Sequence, residues 1–348
     1  MSKIKKTLRR PESFCLIVTI ILFLFIQIQS GQFFTVNNLT DLLAAYIVPG
    51  IMALGSLVVF ISGGLDVSFP ALGAVSLYLT LTVFEGYTGS VWVPILFIIV
   101  VSALMGMFNG VIVAKYNFAP LIVTLSTECL FWGILHGIMK AKTISVLPES
   151  FTWVSKTTLW TAVNPENGLS SHMPFVLVFL MITIVLVSFV LTKTLYGRKL
   201  YAVGGNMASA NNVGINVFWM RVSAYMISGV TAGVALLART LITGNYHPNA
   251  SYGMEYNIIA MVVIGGCALS GGKGTVIGTM LGVVLIQTMN NSMTLLNIPT
   301  YWQKFATGII MIIGISMTAY RTLRDSRRLS GVMLKTETDA QLDSTEAK

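Results

Sequence analysis

Apolar runs of about 20 residues, separated by short polar breaks, follow one another along the chain as far as residue 320. A run of that length matches a hydrocarbon core of about 30 Å, and the runs place ten spans. These lie at about 14–32, 42–61, 68–84, 92–114, 121–139, 174–192, 222–241, 256–270, 275–296 and 301–320. The pattern predicts an all-α polytopic membrane protein with about ten transmembrane helices, some of them discontinuous. A basic N-terminus at 1–13, a transmembrane domain at 14–320 and a tail at 321–348 complete the expected organisation.

Composition agrees. Of 348 residues 55% are hydrophobic and only 10% charged, with a mean hydropathy of +0.78, which excludes a soluble domain of this size. The ten spans leave short loops and no room for a soluble catalytic domain, so any energy source is expected on another polypeptide. The net charge of +9 comes mostly from Lys and Arg near span ends, as topology determinants rather than a nucleic-acid surface. With the N-terminal Lys3, Lys5, Lys6, Arg9 and Arg10 inside, an even count brings Lys115, the Lys193/Arg198/Lys199/Arg221 group, Lys273 and the Arg321/Arg324/Arg327/Arg328 group to the cytoplasmic side. Both termini are then cytoplasmic, and the first span is read as uncleaved because Ile28 occupies the −3 position before a cut after Ser30. The segment 140–173, with Trp153, Trp160 and several prolines, is expected outside as a short interfacial structure over the mouth. The tail after Leu329, acidic and Ser/Thr-containing, is expected to be disordered.

Cys15, Cys129 and Cys267 lie in apolar segments without metal-ligand spacing, and no cofactor or metal site is expected. His136, His172 and His247 are scattered, and neither a zinc HExxH motif nor a GxSxG elbow is present, so no catalytic residues are assigned. Ser270-Gly271-Gly272-Lys273-Gly274-Thr275 fails as a phosphate loop, since Gly274 follows the lysine and Cys267 replaces the first glycine. Gly274, Gly278 and Gly282 stand four apart instead, a stripe that lets another helix approach closely; Gly106/Gly110, Gly133/Gly137 and Gly229/Gly233 share that spacing.

Ile61-Ser62-Gly63-Gly64-Leu65-Asp66-Val67-Ser68-Phe69-Pro70 interrupts an apolar stretch with glycines, a proline and a carboxylate. Freed backbone groups are tolerated at depth only inside protein or beside a wet cavity, and a carboxylate there costs about 2.5–3.5 kcal/mol on insertion scales. Asp66 therefore marks either a discontinuous helix beside a translocation path or the N-cap of the third span. Further path candidates are Ser68, Asn109, Thr124, Glu128 and Asn290, with Trp132, Tyr225, Tyr246 and Tyr256 as aromatic faces. Arg239 and Glu255 near span ends suit either the path or snorkelling to the interface. Leu57–Gly64 and Met261–Gly266 resemble each other, a weak internal repeat that would run parallel, with the polar path between its halves.

The polar, basic, glycine-rich stretch Tyr196–Asn206, continuing to Gly214-Ile215-Asn216-Val217, lies between two long apolar runs. With Val263-Ile264-Gly265-Gly266 and Ser270–Thr279 it resembles the permease subunit of bacterial ABC importers for simple sugars, of the ribose, xylose and galactose type, over roughly residues 14–320. The glycine-glycine-x-aspartate-x-serine element around Asp66 is similar too, although Phe69-Pro70 replaces a usual glycine. Glu128, Trp132 and Asn257 stand where the family commonly has an apolar residue, arginine and aspartate. The resemblance implies a bacterial inner-membrane protein. It also implies three partners: a separate ABC ATPase subunit, a periplasmic or extracellular sugar-binding protein, and a second permease chain, identical or different. It makes 193–221 the coupling loop, with Gly204, Gly205 and Gly214 at tight turns, Asn206 capping a short helix of about ten residues and Ile215 as an apolar anchor. A nucleoside ABC permease and an ion-coupled secondary transporter are the alternatives. The latter would want a buried carboxylate relay, for which only Asp66 and Glu128 lie well inside the spans.

Overall fold

A computed structural model describes residues 11–164, 168, 170–296, 298–299, 301–309, 312 and 316. It is helical apart from one β-hairpin. The helices are α1 (Pro11–Ser30), α2 (Val36–Ile61), α3 (Phe69–Val83), α4 (Trp92–Tyr116), α5 (Pro120–Gly133), α6 (Thr152–Lys156), α7 (Leu177–Lys193), α8 (Leu195–Gly205), α9 (Met207–Asn212), α10 (Val217–Thr243), α11 (Met254–Ile264) and α12 (Val276–Leu295). Residues 301–309 are also helical. A π-helical turn at Ile134–Ile138 prolongs α5.

Among the described residues, four helices are long and apolar enough to cross a membrane: α2, α4, α5 with its π turn, and α10. The α7–α8 pair, bent by 73°, makes a fifth if it is one span. Cys15–Ser30, α3 and α11 are shorter apolar helices. Four to five such helices are fewer than the ten expected runs; among the described residues the runs around residues 61–70 and 264–275 are broken at glycines. The last predicted run and the tail beyond 321 lie largely or wholly outside the described residues.

α10 is the hub, packed on α4, α2 and α3. Its contact with α4 is a zipper of small residues. A Cβ on Gly106 or Gly229 would overlap the carbonyl of Tyr225 or Ser102 across the interface, and one on Gly110 would sit 2.8 Å from Val222 Cα. Helices this close gain dispersion without long side chains between them. Gly133 and Gly137, which share the spacing, have nothing within 4 Å; they are not packing glycines here.

One end of the bundle carries the segment expected over the mouth. It is more ordered than an interfacial strap: a 3₁₀ turn at Glu149–Phe151 and α6 lead into an antiparallel hairpin of β1 (Thr158–Val163) and β2 (Ser170–Pro174). Trp160 Nε1 donates to Thr40 Oγ1 at 3.2 Å, Asn37 Nδ2 to Ala162 O at 3.0 Å and Ser155 Oγ to Leu241 O at 2.9 Å, fastening it to α2 and α10. The hairpin escaped the all-α expectation because prolines and tryptophans mask a six-residue strand.

The loop 244–253 between α10 and α11 does not stay at that end. Tyr246 Oη donates to Ala74 O at 3.2 Å and Ser251 Oγ to Pro70 O at 3.3 Å, so the loop descends along α3 to its first turn. Helix α11 therefore starts deep inside.

Candidate functional site

The break between α2 and α3 builds a buried polar centre. Gly63, with φ of +79°, turns the chain out of α2, and residues 64–68 cross to α3. Asp66 is 1% exposed. Its Oδ1 accepts from the Ser68 amide at 2.9 Å and the Ser68 hydroxyl at 2.7 Å, and its Oδ2 accepts from Ser228 Oγ of α10 at 3.0 Å. The carboxylate thus both turns the chain into α3 and ties the break to the hub. Asn109 of α4 donates from Nδ2 to Ser68 Oγ at 2.6 Å, while its own buried Oδ1 has no partner. The Leu65 carbonyl, freed by the break, accepts from Thr124 Oγ1 at 3.3 Å and Tyr225 Oη at 3.2 Å. At a rise of about 1.5 Å per residue, Ser228 lies about 17 Å along α10 from Val217, so this network sits near the middle of the bundle.

Asp66, Ser68, Asn109 and Thr124 thus come together. Ser228 and Tyr225 complete the network. In the sequence Tyr225 offers only an aromatic face, and Ser228 is a small hydroxyl in an apolar span whose only signal is its place beside the Gly229/Gly233 pair. Glu128 lies one turn beyond Thr124 on α5, half-buried and within electrostatic reach of Asp66. Asn290 stands apart on α12, its carbonyl accepting from Gln303 Nε2 at 3.5 Å and its Oδ1 unpartnered. Glu255 does not snorkel: it is 3% exposed, and its Oε2 has no partner.

The opposite end joins three breaks. Helix α8, begun by Thr194 Oγ1 accepting from the Gly197 amide at 3.1 Å, ends at Gly205. Gly204 is in its last turn rather than at a tight turn: a Cβ there would overlap Ile61 O at the end of α2 and lie 2.7 Å from the Gly272 amide. Gly272 N itself donates to Ile61 O at 3.0 Å. Gly205 faces open space. Asn206 accepts from the Ser209 amide at 2.9 Å and caps α9, which has six residues, shorter than expected. Gly214 takes φ of +81° where α9 turns into α10. Ile215 is half-buried against the core, whereas Val213 beside it is 76% exposed.

Helices α2 and α11 end alike. Gly63 N bonds to Phe60 O and Gly64 N to Val59 O; Gly266 N bonds to Val263 O and Cys267 N to Val262 O. Both Gly63 and Gly266 have positive φ, which sets the repeat one residue out of the register that the paired glycines suggest. On α12, a Cβ on Gly278 would overlap Gly265 O and one on Gly282 would overlap Met261 O. A Cβ on Gly274 would lie 2.8 Å from Cys267 Sγ.

Membrane-length helices, broken helices that meet a buried polar centre and a short capped helix at one end define a polytopic membrane transport protein. The chain belongs to the branched-chain amino acid transport system permease component family, whose model matches residues 38–315. It is 28% identical to the ribose import permease protein of Escherichia coli K12, over 87% of this chain and 92% of that one. It is 31% identical to the ribose import permease protein of Bacillus subtilis 168, over 85% and 88%. With the D-allose transport system permease protein of Escherichia coli K12 the identity is 30%, over 86% and 89%. No solved structure matches the chain.

Proposed function

We propose that the chain is the membrane-spanning permease subunit of an ATP-driven importer for a simple sugar or a related polyol-like molecule. One observation carries this reading: relatives matched over most of both chains include import permeases for ribose and a D-allose transport permease. A separate ATPase subunit would dock on α8 and α9, an external binding protein would deliver cargo at the hairpin end, and a second permease chain would complete the pore. The ten-span count and cytoplasmic termini belong to this reading, as does the bacterial inner membrane. Helix α9 supports it as a coupling element because it is capped, exposed and adjacent to Gly204, which touches the end of α2. The buried network around Asp66 suits a path that handles hydroxyls without holding them tightly.

The test is uptake into proteoliposomes of the chain assembled with its ATPase and binding protein, offering ribose, allose and leucine. ATP-dependent accumulation of a sugar that disappears without the ATPase is the expected result. Accumulation of leucine alone would overturn the sugar reading, and uptake driven by an ion gradient without ATPase would overturn the importer class.

A further inference from the structure

A cavity of about 330 Å³ lies between α2, α10, α11 and α12, within the range of about 300–1,000 Å³ that small-molecule sites occupy. Its walls are mainly apolar, with Ala44 and Pro49 of α2 and Met254 of α11 among them. Three polar side chains also line it: Arg239 and Thr243 from the last turns of α10, and Gln287 of α12. A few polar groups in an apolar enclosure are the make-up of a site that orients a small guest. The Asp66 network contributes nothing to these walls.

A cation one turn from the end of a span ordinarily reaches for the interface. Arg239 turns inward instead: it lines this cavity and also a smaller one of about 80 Å³ between α3, α10 and the loop 244–253. A guanidinium keeps its charge and carries five N–H donors. The side-chain hydrogen bond of Arg239 goes to Met254 Sδ at 3.6 Å, a weak acceptor, and among the described residues no carboxylate pairs with it. Gln287 makes no side-chain hydrogen bond among the described residues. Thr243 Oγ1 donates to Asn245 O at 2.9 Å and keeps lone pairs free to accept. In a span, a cation that the protein leaves unpaired is a sign of a pathway. The loop supplies water on its side: its irregular backbone descends along α3 with Asn245 and His247 exposed, and such backbone is tolerated at membrane depth only inside protein or beside a wet cavity.

We infer that Arg239, Gln287 and Thr243 form an outer cargo station that takes a polyhydroxylated molecule by its oxygens and turns away cationic relatives. The guanidinium donates to the oxygens of adjacent hydroxyls, the Gln287 amide both donates and accepts, and Thr243 Oγ1 accepts a hydroxyl proton. An ammonium on the guest would meet the charge of Arg239 across apolar walls, with no carboxylate to offset either. The inference rests on the sugar-importer reading and deepens it by naming the groups that select cargo at the hairpin end.

The test uses the full-length chain purified with its ATPase in nanodiscs, without the binding protein, whose own selectivity would intervene. D-ribose, D-allose and 2-amino-2-deoxy-D-ribose at millimolar concentration are the probes in saturation-transfer NMR, at about pH 6 so that the amine is an ammonium. The two sugars should give contact signals and the amino sugar none. Arg239→Gln, which keeps donors and loses the charge, should admit the amino sugar. Ala44→Phe, which fills the cavity from α2, should lower the sugar signal about tenfold, as the loss of one charge-assisted hydrogen bond would, with the ATPase still co-purifying and the melting temperature kept. Silence of the sugars on the parent, an amino sugar that binds the parent as ribose does, an Arg239→Gln chain with the parent's selectivity, or an unchanged sugar signal in Ala44→Phe each overturns the inference. Loss of assembly in both variants means that the cavity walls only pack the bundle and overturns it too. If the parent complex, given its binding protein and ATP, moves no sugar, the importer reading itself has failed; if it moves sugar while binding ignores Arg239, only this inference has.

Discussion

Asp66 accepts three hydrogen bonds in a site closed to water, and its two oxygens serve different helices. Replacing it with asparagine turns one acceptor into a donor that faces hydroxyls able to rotate, so the break should still form. Asp66→Asn is expected to insert and assemble normally and to lower uptake at least tenfold; normal uptake would reduce the residue to a brace. Asp66→Ala leaves three donors without a partner, each costing about 1–3 kcal/mol, and a fall in melting temperature should accompany the loss of transport. Gly278 offers a contrast between glycines alike in sequence. Gly278→Leu forces α12 away from the Gly265 carbonyl and should destabilise by about 1–3 kcal/mol or more. Gly133→Ala, with open space around it, should be neutral or gain up to about 1 kcal/mol from helix propensity. Thermal melts of both variants in detergent decide this; equal melting temperatures would contradict the packing.

At the scale of elements, the apolar runs were legible because the bilayer imposes their length. What the runs do inside was less legible. Asp66 declared itself as a carboxylate among glycines and a proline, but Ser228 carries no such mark, since its meaning depends on a carboxylate 162 residues away in sequence. Glu255 suits the interface as well as the path when read from sequence, because nothing local reveals that residues 244–253 fold back along α3. Gly204 was readable as special and misread as a turn, since a glycine needed for positive φ and one needed for close approach look identical in sequence. For α9 the structure shifts attention from Ile215, which the core already half-covers, to Val213. In the proposed assembly Val213→Asp should weaken ATPase binding by about 2 kcal/mol, roughly thirty-fold, without lowering the melting temperature of the permease. Ile215→Asp should lower both. Co-purification and ATP hydrolysis coupled to uptake report the first effect; an unchanged affinity for Val213→Asp would remove α9 from the docking surface.

Across the whole molecule the hairpin and α9 occupy opposite ends of α10, whose 27 residues span about 40 Å. A topology follows that chemistry can read. In a variant with its three cysteines replaced by serine, a cysteine at Val146 should react with a membrane-impermeant maleimide only from outside, and one at Val213 only from the cytoplasmic side. Reaction of both from the same side would refute the orientation of the bundle.

The meeting of Gly204, Gly272 and the end of α2 contains no side chain at its closest point, only main chain against main chain. Such a joint has no slack and no compliant part: displacement of α8 has to be passed on to α2 at full amplitude or the contact must open. It also has no dial. A change of residue there can only break the joint, so in the proposed assembly the strength of coupling would be graded at the rim, by Val213 and its neighbours, rather than at the hinge.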